Sequence, residues 1–196
     1  MRSGVLIAAS VLLVLCAPSS ASARQYEVTP FLGASFETAK YSAVAPSYGV
    51  ALGVRLDDSK AMELWFSRQD VEARVVDPTF AEPTYWAEAE IDRLHFGGEY
   101  RGGNSSKRSR GFVNFSMGLA RIGGPQSIGD SYSFSLAFGG GLQLQAGDAT
   151  RVRFQTSWIS TNAGSGSVTC TTGSCAIHAE SFVGGIELSV GLTISF

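Results

Sequence analysis

The sequence predicts an all-β fold, an eight-stranded antiparallel up-and-down transmembrane β-barrel, and three observations carry that prediction. Apolar and polar residues alternate with a period of two in one segment after another. Beyond residue 23 no apolar run reaches the roughly 20 residues that a membrane-crossing helix needs, although 44% of the chain is hydrophobic. The links between alternating segments are short and long by turns, as in a hairpin barrel with one plain end and one elaborated end.

The chain opens with Arg2, an apolar run from Gly4 to Ala17, then Pro18 and small residues closing on Ala21-Ser22-Ala23. These are the basic, hydrophobic and small-residue parts of an export signal. Residues 1–23 are therefore expected to be removed, leaving 24–196 as the barrel domain. A membrane-anchoring helix would need a longer run. Cys16 follows the apolar run as in a lipoprotein signal, but Leu15 stands where that signal needs a small residue. With Arg2 gone, 14 basic side chains face 17 acidic ones, which excludes a nucleic-acid partner.

Eight segments then alternate, at 26–37, 48–56, 61–73, 88–101, 111–121, 132–146, 151–159 and 182–196. In the sixth, Tyr132, Phe134, Leu136, Phe138, Leu142 and Leu144 share one parity, against Ser133, Ser135, Ala137, Gly139, Gly141 and Gln143. The second sets Tyr48, Val50, Leu52 and Val54 against Gly49, Ala51, Gly53 and Arg55, and the seventh sets Val152, Phe154 and Trp158 against Arg151, Arg153 and Gln155. Residue size points the apolar face outward, toward lipid. The opposite face is built of Gly, Ser and Ala with a few charges, which suits the narrow interior of an eight-stranded barrel. A soluble barrel alternates with the opposite sense and would put long Lys and Glu side chains outside.

The links define two ends. Asp57 to Lys60, Gly102 to Ser109 and Gly147 to Thr150 are compact, whereas 38–47, 75–87, 122–131 and 160–181 are long. Aromatics near both ends suggest two girdles, Tyr48, Tyr132, Trp158 and Phe182 by the long loops and Tyr26, Tyr100 and Phe196 by the turns. Strands three and four break the pattern. Arg68, Asp70 and Glu72, and Glu88, Glu90 and Asp92, occupy outward parity. A charge facing lipid at the midplane costs about 2–4 kcal/mol, so these stretches either project past the membrane or contain a face-changing bulge. Projection is expected, because both lie at the long-loop end.

The last strand carries the most specific signal. Ile186, Leu188, Val190, Leu192, Ile194 and Phe196 form one face, and the chain stops on the aromatic. Ser189, Gly191, Ile194 and Phe196 fall at the polar, glycine, apolar and aromatic positions of the terminal assembly signal of bacterial outer-membrane barrels. The chain resembles that family, in particular small barrels of the outer membrane protein A and X type, across the mature sequence. The resemblance implies residence in the bacterial outer membrane, contact with its lipid and lipopolysaccharide, and insertion by the barrel assembly machinery. It also implies a structural or interactive role in which external loops meet extracellular partners.

Inward parity is expected to hold a lumen charge network of Arg55, Glu63, Arg93, Glu99, Arg151, Arg153 and Glu187, with Glu27, His95, Arg101 and Arg121 as further members. Such charges either line a narrow solute pore or fill the barrel as an electrostatic plug, and interior size favours the plug. Cys170 and Cys175 are expected to form a disulfide, since Cys16 leaves with the signal and an oxidising compartment favours the bond. Two thiols beside His178 fall short of a structural zinc set, so no metal or cofactor is expected. A lipid-modifying enzyme is a further alternative, for which His178, Glu180 and Ser181 supply the residue types. Their spacing differs from the His-x-Ser of lipid A deacylases, and no enzyme activity is expected.

Overall fold

Alternation turns each long segment into a strand with one apolar and one small or polar edge, and closure into a barrel satisfies every strand's backbone without leaving an open edge. The computed structural model describes residues 26–37, 44–75, 85–102, 108–123, 131–162, 168–171, 174–177 and 182–196. Eight long strands, β1 (Tyr26–Glu37), β2 (Ala45–Arg55), β3 (Lys60–Val75), β4 (Tyr85–Arg101), β5 (Ser109–Gly123), β6 (Ser131–Gln145), β7 (Thr150–Asn162) and β10 (Phe182–Ser195), close into one barrel. Neighbours along the chain pair antiparallel, and β10 pairs with β1 to close the ring. The expected eight-stranded antiparallel barrel is the fold observed. A separate two-stranded hairpin, β8 (Val168–Thr171) with β9 (Ser174–Ile177), interrupts the longest link, and its register sets Cys170 opposite Cys175.

Register fixes the shape. Following paired residues around the ring from Glu27 leads through Gly53, Glu63, Gly97, Ser116, Ala137, Ile159 and Gly185 back to β1 at Glu37. The walk returns ten residues further along the strand, so the barrel has a shear of ten. With ordinary strand spacings that stagger tilts the strands by about 40° and leaves an interior that side chains can fill.

Faces segregate as the alternation predicts. Leu32, Phe66, Phe96, Leu119, Phe138, Phe154 and Leu188 are among the large apolar residues exposed on the outer wall. A continuous apolar belt of this kind is what the lipid-facing wall of a transmembrane barrel carries. Small residues on the inner face let the walls approach. A Cβ on Gly118 would overlap the Leu94 carbonyl oxygen and the His95 backbone, and one on Gly141 would overlap the Phe154 carbonyl.

The two ends differ. At the turn end, Leu56 N–H donates to the Lys60 carbonyl at 2.9 Å and Ala146 N–H to the Thr150 carbonyl at 3.0 Å, closing two turns of the same form. Asp57 accepts from the Ser59 backbone N–H at 2.7 Å and its hydroxyl at 2.9 Å, and these bonds hold its carboxyl below the usual range. At the loop end β3 and β4 run 16 and 17 residues, the longest of the ring. Their pairing continues without a slip from Lys60–Tyr100 to Val75–Tyr85, so no bulge changes the face and the charged stretches extend the hairpin instead.

Candidate functional site

The inner face of the turn half carries the densest chemistry of the molecule. Glu27 enters from β1, Arg55 from β2, Glu63 from β3, Glu99 and Arg101 from β4, Arg110 from β5, and Arg151 and Arg153 from β7. Strand alternation places all of them inside, and burial favours pairing among them. Glu27 receives Arg55 and a two-pronged Arg101, one prong at 2.9 Å. Arg101 also binds Glu99, which accepts from the Gln143 amide at 3.2 Å. Arg151 approaches Glu27 at 3.9 Å.

Arg153 is the hub of the next layer. It donates to both Glu63 oxygens at 2.6 and 3.2 Å and to the Gln155 side-chain carbonyl at 2.8 Å. It also lies 2.7 Å from a Glu99 oxygen, a close charge contact whose angle does not make a hydrogen bond. The guanidinium carbon sits 4.3 Å from the centre of the Phe112 ring and 5.6 Å from that of Trp65. Trp65 meets Phe31 edge to face, with centroids 4.9 Å apart. Cation–π contact and desolvation make this layer a plug of charge and aromatic rings. The cavities beside it, lined by Phe31, Trp65 and Arg153 on one side and by Trp65, His95 and Glu187 on the other, are about 10 Å³ each. That is room for a single water apiece.

Above the plug Arg93 donates to Gln69 at 2.7 Å, His95 Nδ1 lies 3.5 Å from the Ser116 hydroxyl, and Glu187 faces inward, all buried. The sequence reading also placed Arg121 inside, and here it is corrected. Arg121 shares the parity of Phe115, Met117 and Leu119 and sits on the outer wall. There Asp92 accepts Arg68 through two bonds of 2.7 and 2.9 Å and Arg121 at 3.2 Å, while Glu90 lies 3.5 Å from Arg68. Sequence reasoning missed Arg110, because the fifth strand was expected to begin at 111. It also missed the inward aromatics Phe31, Trp65 and Phe112, although their parity was available. Trp158, expected at a girdle, lies opposite Phe138 and Ile186 within the belt.

Ser189 and Gly191 face inward near the closing seam, Ile194 pairs with Val28, and the Phe196 N–H donates to the Tyr26 carbonyl at 2.9 Å. Residues 1–23, His178, Glu180 and Ser181 lie outside the described residues, as do the side chains of Cys170, Cys175 and Phe182. No group of three or more metal-ligating side chains occurs among the described residues.

A closed ring of eight antiparallel strands, an apolar outer belt and a filled interior define the fold of small outer-membrane barrels. The crystal structure of Neisserial surface protein A matches it with a TM-score of 0.62 at 13% identity, over 87% of this chain and 97% of that one. The N-terminal β-barrel domain of Pseudomonas aeruginosa OprF matches with a TM-score of 0.51 at 14% identity, over 88% and 98%. At these identities the likeness is one of fold. No protein-family model and no curated protein matches the chain.

Proposed function

We propose that the chain is exported by residues 1–23, resides in the bacterial outer membrane, and serves there as a structural or surface-interaction protein. In this reading the turns face the periplasm and the long links face outward. The observation that carries it is the plug. Arg153, held between Glu63 and Glu99 and covered by Trp65 and Phe112, fills the barrel at a level where two water-sized cavities flank it. A lumen so filled argues against solute passage and leaves the loop end as the surface on which partners act. Lipopolysaccharide is the proposed lipid neighbour. The Ser189, Gly191, Ile194 and Phe196 set is proposed as the signal read by the barrel assembly machinery.

Single-channel recording on the purified protein in planar bilayers tests the plug. No discrete conductance is expected, and steady opening of single channels would favour the narrow pore. Sidedness has its own test in Cys170 and Cys175, which face one another across β8 and β9 and are proposed to be disulfide-bonded. A membrane-impermeant thiol reagent on intact cells should label them only after reduction. Labelling before reduction would refute the bond, and none afterwards would reverse the topology.

A further inference from the structure

Among the described residues, the charges inside the turn half do not balance. Five arginines, Arg55, Arg101, Arg110, Arg151 and Arg153, share that space with three glutamates, Glu27, Glu63 and Glu99. The glutamates are already engaged. Glu63 and Glu99 hold Arg153, Glu99 and Glu27 hold Arg101, and Glu27 also holds Arg55. The excess positive charge therefore falls on Arg110, which pairs with no carboxylate among the described residues, and on Arg151, which shares the already engaged Glu27 at 3.9 Å.

Their hydrogen bonding says the same. Arg110 is 2% exposed, and its one bond gives Nη2 to the backbone carbonyl of Asp58 at 2.7 Å. Its Nε and Nη1 are buried with no hydrogen-bond partner among the described residues. Nη1 of Arg151 likewise makes no hydrogen bond, its contact being the long 3.9 Å ion pair with Glu27. The two flank one strand, since Arg110 pairs with Gln143 of β6 and Arg151 with Gln145. Arg110 also lies within electrostatic reach of Arg101, Arg151 and Arg55, with the Glu27 carboxylate set against them. A neutral carbonyl or a water satisfies a donor but not the charge behind it, and a buried charge without a counter-charge is strongly disfavoured.

We infer that Arg110 and Arg151, backed by Arg55, form a binding site for a small free oxyanion such as phosphate in the turn-end vestibule of the lumen. Two guanidinium forks offer several N–H groups to one tetrahedral anion, a geometry that chloride uses poorly. Arg55 and Arg151 keep partial exposure, with side chains 13% and 15% accessible, so that end of the lumen is open to solvent. The strand wall separates it from lipid, which excludes a lipid headgroup as the donor of the phosphate.

The test uses the folded protein in maltoside micelles, which contain no phosphate group. Phosphate is titrated at constant ionic strength held with chloride. The thermal unfolding midpoint should climb with phosphate concentration, and the phosphate ³¹P resonance should broaden saturably. Arg110→Gln should weaken phosphate binding about ten-fold or more without lowering the midpoint in chloride alone. If that variant does not fold, Arg151→Gln reads the same weakening. Arg68→Gln, on the outer wall, should bind phosphate as the parent does. Equal midpoints in phosphate and chloride at matched ionic strength would overturn the site, as would undiminished phosphate binding by both lumen variants.

Discussion

Two instances of one motif, a carboxylate held between two arginines, sit in opposite surroundings. Glu27 between Arg55 and Arg101 lies inside at the turn end, 3% exposed. Asp92 between Arg68 and Arg121 lies on the outer wall at the loop end, where the arginines are 32% and 39% exposed. The bonds look alike on distance, yet their energetic weights differ. Inside, a lost partner leaves a charge that little water and no lipid relieves. Outside, side chains at the edge of the belt turn toward water and ions screen them.

That contrast predicts a ranking. Glu27→Ala leaves Arg55 without a carboxylate and Arg101 with Glu99 alone, and should cost about 3–5 kcal/mol, read as a lowered urea midpoint by tryptophan fluorescence in micelles. A change under 1 kcal/mol would mean that the turn-end lumen is wetter than its burial implies. Glu63→Ala should cost about 3 kcal/mol, the low end of that range, because Arg153 keeps Glu99. An unchanged midpoint would break the assignment of Arg153 as the hub. Arg68→Ala should cost about 0–1 kcal/mol, with an effect that shrinks as salt rises. A salt-insensitive loss as large as that of Glu27→Ala would erase the distinction between the two copies.

Much of this was legible from the residues. Parity gave the number of barrel strands and the order of short and long links, because a period of two is a local property of the backbone, and residue size then told which face points outward. The first strand's limits match the expected ones, and the second begins earlier because the sequence reading stopped short of Pro46. Register was not legible. Nothing local tells that Arg153 of β7 meets Glu63 of β3 across the lumen, or that Trp65 and Phe112 cover it, since those contacts follow from the stagger of the closed ring. Arg121 was misread for a different reason. Its charge suggested the inside while its parity, shared with Leu119, already indicated the outside. Arg110 fell one residue beyond an expected strand end, where sequence boundaries are least certain, and so the excess charge of the vestibule stayed hidden.

The shear of ten also constrains how chains of this fold can change length. A path that leaves an inward residue and circles the ring must come back to an inward residue, so the stagger can take only even values. Inserting one residue into a strand would turn everything beyond it inside out on one side of the insertion. Neighbouring strands have no register to slip into that repairs the mismatch. Two residues together can be absorbed as a taller hairpin, as the extended β3 and β4 illustrate, and a single one only as a local bulge. Drift in length is thus channelled into the links between strands. The barrel acts as a parity check on its own sequence, leaving the loops as the one place where it is free to vary.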